Sequence, residues 1–92
     1  MELQHLRQFK VVAELEHMTR ASENLHIAQP ALSKTIRILE DELKVKLFTR
    51  IGKNIKLNLN GQILLKYTNE IMYIIDNAKK SLQMLMNIKI TQ

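Results

Sequence analysis

Gln29, Ser33, Lys34 and Arg37 recur at i, i+4, i+5 and i+8. On a helix that spacing sets them along one flank, beginning at the N-terminal end. Ser33 has no His or Lys arrangement that would activate its hydroxyl as a nucleophile. What the four share is directional hydrogen bonding. Gln pairs with adenine N6 and N7, and Lys or Arg with guanine O6 and N7, so the row has the chemistry to read base edges in a major groove. The plain alternative is a solvated helix face, the usual fate of a polar stripe.

A second group is purely cationic. No acid occurs between Glu42 and Glu70, whereas Lys44, Lys46, Arg50, Lys53, Lys56 and Lys66 fall in that stretch. Bases concentrated in this way suit phosphate. Arg50 has two readings of equal weight: a phosphate contact, or a pair with the Glu40-Asp41-Glu42 cluster that holds its own segment in place. The acidic cluster sits at a helix C-terminus, where the macrodipole disfavours it. It reads as solvated or paired with Lys44 and Lys46, not as a catalytic dyad. His5, His17 and His26 lack metal-ligand spacing. The chain has no Cys, which excludes disulfides, a cysteine nucleophile and cysteine-bound zinc. There is no Gly-rich phosphate loop. No catalytic residue, metal site or cofactor is expected, and an enzyme is disfavoured.

The elements that would position these residues are mostly helical. With 92 residues, 46% hydrophobic and 25% charged, the chain is one ordinary domain, or one domain with an appendage. Two Gly and one Pro argue against an all-β fold rich in tight turns. A net charge of +5 suits a polyanion, either nucleic acid or an anionic membrane surface. No apolar run approaches the ~18 residues of a membrane span, and Met1-Glu2-Leu3-Gln4-His5 lacks the layout of a signal peptide. A cytoplasmic protein is the expectation.

Leu3, Leu6, Phe9, Val12 and Ala13 predict a first helix over 3–15. Thr19 is placed to cap a short second helix carrying Ala21 and Leu25 on one face. His26-Ile27-Ala28 connects to a third helix over 29–43, with Pro30 in its first turn. There Leu32, Ile36, Leu39 and Leu43 fall within about 60° on a helical wheel, and Pro30, Ser33, Lys34, Arg37 and Asp41 take the other side. Leu47 to Leu57 reads as a small hairpin turning at Gly52-Lys53-Asn54, with Ile55 and Leu57 inward and Lys56 outward. Beyond it a helix pattern runs almost to the end, with Asn60 as its expected cap. About 30 helical residues span about 45 Å, more than a small domain buries, so the boundary falls near 57/58.

Two short helices joined by a tight connector, the second with a polar flank, describe a helix-turn-helix, and the basic hairpin after it a wing. Here the sequence resembles the N-terminal region of the LysR-type bacterial transcriptional regulators, over Leu3 to about Leu65. The motifs are Leu6-Arg7-Gln8-Phe9, the run from Thr19 through Ala28-Gln29-Pro30-Ala31-Leu32-Ser33-Lys34 to Ile36, Leu39-Glu40-Asp41-Glu42-Leu43, Leu47-Phe48-Thr49-Arg50, Gly52-Lys53 and Gly61. The resemblance implies a mainly α fold: a winged helix-turn-helix (three helices plus a small β-hairpin wing) over 1–57, then a long linker and dimerisation helix over 58–92. It implies that Thr19, Arg20, Gln29, Pro30, Ser33, Lys34 and the wing bases face DNA. It also implies an effector-sensing domain after the linker, so that no small-molecule site is expected in this chain. Five positions depart from the pattern. Glu16-His17-Met18 replaces a frequent Gly-Ser-Phe, with Met18 able to fill the aromatic position. Lys44 replaces a frequent Gly, and Asn58 stands where Thr is usual.

In the last segment Ile71, Ile75, Ala78, Leu82 and Leu85 form a coiled-coil-like seam, extended backwards by Leu64 and Thr68. Ile63, Tyr67 and Ile74 form a second flank, expected to cover the winged domain. Met72, Met84, Met86 and Ile88 widen the apolar surface, so a partner helix is nearly obligatory. Lys66, Lys79, Lys80 and Lys89 are too sparse for a membrane-surface helix. The expected function is sequence-specific binding to a double-stranded DNA operator by a homodimer, with tetramers in a full-length form and no membrane partner. DNA contact is expected from Thr19, Arg20, Gln29, Pro30, Ser33, Lys34, Arg37, Arg50 and Lys53. The alternatives are a sequence-tolerant architectural DNA binder with the same fold and a modulator that forms mixed dimers with a larger regulator.

Overall fold

The computed structural model describes the backbone of residues 1–91 and the side-chain surroundings of residues 1–88. Gln92 and the side chain of Lys89, both part of the expected linker helix, lie outside the described residues. Helices α1 (Leu3–Leu15), α2 (Met18–Leu25) and α3 (Gln29–Leu43) are followed by strands β1 (Phe48–Ile51) and β2 (Asn54–Leu57) and then by α4 (Leu59–Thr91). The mainly helical architecture and its order are those the sequence predicts.

The core is small and is shared by all three short helices. Leu6, Phe9, Val12 and Ala13 of α1, Ala21 of α2 and Leu32, Ile36 and Leu39 of α3 are buried together with Leu47. Leu3, expected on the same stripe, is 48% exposed, because it starts the first turn and nothing packs beyond it. Phe9 meets Phe48 at the root of the hairpin in a tilted ring contact, centroids 5.8 Å apart. Offset or tilted pairs at this separation favour the ring quadrupoles.

Each short helix ends on a non-glycine residue in the left-handed region: Glu16 (φ 49), His26 (φ 56) and Lys44 (φ 60). After α2 the Ile27 N–H reaches back to the Ser22 carbonyl at 3.1 Å, the six-to-one bond of a Schellman turn. After α3 the Val45 N–H reaches the Glu40 carbonyl at 3.3 Å in the same way. Lys44 thus adopts the backbone that glycine takes without steric penalty, at a cost of about 1 kcal/mol.

Two caps differ from expectation. His17, not Thr19, caps α2: its Nδ1 accepts the Arg20 N–H at 3.1 Å, the N-cap to N3 bond that a hydroxyl or carboxylate usually makes. The helix therefore starts at Met18, and Thr19 is free for another partner. Asn58, not Asn60, caps α4, its Oδ1 accepting the Gly61 N–H at 2.9 Å. The Asn58 and Asn60 side-chain amides both donate to the Lys46 carbonyl, tying the start of α4 to the strand root.

The hairpin pairs Phe48 with Leu57 and Ile51 with Asn54, leaving Gly52 and Lys53 as the loop. Gly52 alone has positive φ there, the arrangement of a II′ turn. Ile55 and Leu57 are half-buried and Lys56 is exposed, as the alternation predicts.

The first half of α4 packs back on α1 and on the end of β2. Leu64, Leu65, Ile71 and Met72 lie against the core, and Thr68 is fully buried. Ile63, Tyr67 and Ile74, expected to cover the domain, are instead exposed at 59%, 53% and 65%. Leu64 and Ile71, expected on the dimer seam, face their own domain, and Ile75 is half-buried. The physical reason is that α4 carries two apolar arcs and its own domain takes the one with Leu64, Thr68 and Ile71. Beyond Ile75 the described part of the helix runs past the domain, so both arcs are exposed there.

Gly61 sits where the first turn of α4 crosses the hairpin root. A Cβ there would overlap the Leu47 carbonyl and the Leu57 side chain. Gly61→Ala should destabilise the domain by about 1–3 kcal/mol through overpacking. The check is a lower urea midpoint with an unchanged slope; an unaltered midpoint would show that the crossing relaxes freely.

Candidate nucleic-acid interface

Burial of one side of α3 determines what the other side offers. Leu32, Thr35, Ile36 and Leu39 go inward. Gln29, Pro30, Lys34, Arg37 and Asp41 are exposed and Ser33 is half-buried. The predicted flank is thus outward-facing. Ser33 lies at its inner margin, beside a cleft of about 500 Å³ between α3 and the hairpin.

Thr19 and Arg20 are exposed on the first turn of α2. The Thr19 hydroxyl donates to Gln29 Oε1 at 3.1 Å. This bond joins the starts of the two helices and orients the Gln29 amide, whose NH2 remains available as a donor. Ala28, the N-cap of α3, supplies no side-chain acceptor, so the positive end of that helix is uncapped beside Gln29. Ser22 packs behind this surface, its hydroxyl donating to the Thr19 carbonyl at 2.8 Å.

The hairpin brings the second group of bases alongside. Lys53 is at the exposed tip, and Lys56 and Arg50 are exposed on the strands. Arg50 pairs in register with Ile55 and, two residues from Phe48, shares the inner face. It lines the cleft with Arg37 and Lys46. Glu40 and Asp41 line the same cleft, yet no ion pair joins Arg50 to either among the described residues.

The acidic cluster has internal partners instead. Glu40 accepts the Leu47 N–H at 2.8 Å and lies 3.9 Å from the Lys46 ammonium. Glu42 meets the N-terminal amine of Met1 at 2.7 Å. These acids hold the scaffold and leave the bases outward. Two contributors escape a reading by residue type. Glu16, in the α1–α2 connector, accepts the Leu57 N–H at 2.8 Å, and Asn58 ties α4 to the wing root. The only signal for Glu16 was its position, a long acceptor where glycine is frequent in the family the sequence resembles. Among the described residues no group of three His, Asp or Glu side chains is placed to hold a metal ion.

A three-helix core, an outward polar flank on the third helix and a basic hairpin beside it define a winged helix-turn-helix protein. Residues 3–62 match the family model described as the bacterial regulatory helix-turn-helix protein, lysR family; the chain belongs to that family. It is 40% identical over 86 residues, 94% of its own length, to the uncharacterized HTH-type transcriptional regulator YybE of Bacillus subtilis (strain 168). It is 42% identical over 71 residues, 77% of its own length, to the RuBisCO operon transcriptional regulator of Allochromatium vinosum. The chain spans 30% of the first relative and 24% of the second. Among solved structures it resembles the BenM DNA-binding domain in complex with benA site 1 DNA, with a TM-score of 0.87 and 34% identity over 92% of this chain and 99% of that one. It also resembles the CbnR DNA-binding domain–DNA complex, with a TM-score of 0.85 and 28% identity over 92% and 98%.

Gln29→Ala and Lys34→Ala should each weaken binding to a selected DNA site by about 1–3 kcal/mol and relax preference at individual base pairs. Random-library binding selection checks this. Retention of the parent sequence preference by both variants would remove α3 as the reader.

Proposed function

We propose that this LysR-type helix-turn-helix DNA-binding domain recognises a specific double-stranded operator as a homodimer. Recognition helix α3 lies in the major groove, and the wing lies on the flanking backbone or minor groove. The single observation that carries this reading is the exposed row Gln29, Lys34 and Arg37 on α3, with the Arg50 and Lys53 wing beside it. Thr19, Arg20, Pro30 and Ser33 border the same surface. The relatives are transcriptional regulators by name, which suits a binding role without covalent chemistry.

The division of labour follows from chemistry. Gln29 and Lys34, at the N-terminal end of α3, carry groups that distinguish bases. Arg50 and Lys53 carry point and fork charges suited to phosphate, which positions without reading sequence. A sequence-tolerant architectural binder would use the second set alone. Competition against scrambled DNA separates the two: a regulator holds a preference of about 10³ or more at physiological salt.

Lys53→Ala should weaken selected and unrelated DNA nearly equally. It should also flatten the log K against log salt slope by about 0.9, one phosphate contact. Fluorescence anisotropy over a salt series reads this, and an unchanged slope would refute the contact.

Dimerisation is assigned to the outward face of α4. Ile63, Tyr67, Ile74, Ala78 and Leu85 lie within about 60° of one another at 100° per residue, and all are exposed. Leu82 flanks this row, so of the residues expected on the seam Ala78, Leu82 and Leu85 remain outward. A second copy covers this face in the proposed homodimer, and it makes the second half-site contact effectively intramolecular. Ile74→Glu with Leu85→Glu would set unpaired charges into that contact. The double variant should run as a monomer in light scattering, keep its winged domain folded by circular dichroism, and lose operator affinity by about 10²-fold or more. A dimer of unchanged mass would place the interface elsewhere. A monomer with full affinity would remove dimerisation from the mechanism.

A further inference from the structure

We propose that Glu16 is a positioning residue for DNA binding: its carboxylate fixes the angle at which the wing leaves the helical core. This rests on the reading of the wing as a DNA contact, and it concerns a residue that touches no DNA itself.

The wing has only two strands, so each is an edge strand with outward amides. In a hairpin with a two-residue loop the pair flanking the loop exchanges both hydrogen bonds, and the pairs then alternate. Counting from Ile51–Asn54, the pair Phe48–Leu57 is a non-hydrogen-bonded one. The Leu57 N–H therefore points away from β1, and the Glu16 carboxylate accepts it at 2.8 Å across 41 residues of sequence. Just before β1 the Leu47 N–H is taken by Glu40 of α3 at 2.8 Å. Two carboxylates from two parts of the helical core thus hold the two sides of the hairpin root. The half-buried Leu57 amide would otherwise lose its partner.

The backbone at Glu16 supports a dedicated role. Its φ is 49° and ψ 37°, a conformation glycine adopts at no steric penalty and glutamate does not. Glycine there would ease the backbone and abolish the clamp.

The geometry of the wing makes this clamp matter. Lys53 is four residues beyond Leu57, about 13 Å along a strand. A rotation of about 15° at the root moves that end by about 3 Å, enough to part an ammonium from a phosphate oxygen.

The test compares Glu16→Gln with Glu16→Asn in the full chain. Both remove the same charge. Gln keeps the reach of the acceptor, whereas Asn tolerates the left-handed backbone but is one methylene shorter. Amide exchange at Leu57, operator affinity and thermal melting are measured for each. For Glu16→Asn the expected result is an intact cooperative melt, about tenfold faster Leu57 exchange and about five- to tenfold weaker binding. For Glu16→Gln both readouts stay within about twofold of the parent. Equal losses in the two variants would overturn the proposal in favour of a charge effect. Unchanged Leu57 exchange in Glu16→Asn would show that the clamp is dispensable. Faster exchange with full affinity would show that the wing angle does not govern binding, provided that Lys53→Ala flattens the salt slope. If Lys53→Ala does not, the wing reading itself fails and the positioning role with it.

Discussion

The contact between the apolar side of α3 and α1 governs the rest of the molecule. Phe9 and Val12 on one helix and Leu32 and Leu39 on the other are all fully buried. In a chain of this size such residues supply most of the available hydrophobic stabilisation, at ~1.5–3 kcal/mol for each large side chain fully buried. α3 therefore has little freedom to roll about its axis, because a roll would expose Leu32 or Leu39. The fixed roll is what sends Gln29, Lys34 and Arg37 outward, and the bond from Thr19 to Gln29 sets where the row begins. The proposed DNA-reading surface is thus the complement of the core.

Charge is sorted by the same scaffold. Glu16 and Glu40 turn toward backbone amides of the hairpin root, and Glu42 turns toward the N-terminus. Their negative charge is engaged within the protein, and Glu16 and Glu40 sit where amides of the hairpin root would otherwise lack partners. Arg37, Arg50 and Lys53 have no ion-pair partner among the described residues. An approaching polyanion meets unpaired bases, with no competing salt bridge to break first.

Much of this was legible in the sequence because it depends on period. The four-three-four spacing of Leu32, Ile36, Leu39 and Leu43 defined α3 and its exposed side together, and Gly52 between two short alternating segments defined the wing. Capping was less legible, since residue type is a weak guide when several residues can do one job. An imidazole at His17 replaced the expected hydroxyl of Thr19. Glu16, His26 and Lys44 took left-handed positions without a glycine; at Glu16 and Lys44 the frequent Gly of the resembled family pointed to them, at His26 nothing did. The clamp from Glu16 to Leu57 spans 41 residues, and no local pattern encodes a contact of that range. The α4 faces were misassigned for a different reason. Two apolar arcs sit side by side on that helix, and hydrophobicity alone does not say which one meets the chain's own core. Packing chose the arc containing Gly61, Leu64, Thr68 and Ile71, because Gly61 is what lets the helix approach the hairpin root. Thr68 shows that fit outranked polarity there: it is fully buried although its hydroxyl has no hydrogen-bond partner among the described residues.

That choice has a thermodynamic consequence for the far half of α4. From Asp76 to Ile88 the segment is helical and every side chain is exposed. A stretch of about 13 residues is marginal as an isolated helix in water, and in proteins the stabilisation comes mainly from packing an amphipathic face. Here the described residues of the winged domain do not cover this segment, while Leu82, Met84, Leu85, Met86 and Ile88 each leave half or more of their surface to solvent. Covering that face with a second copy removes apolar surface from water and stabilises the same turns that carry it. In the proposed homodimer, helix formation in this half and subunit pairing are therefore coupled, and both depend on protein concentration. In that proposed dimer, DNA engaging two winged domains at once would favour the paired state, so that operator, dimer and helix would strengthen one another through linkage without any contact between α4 and the DNA.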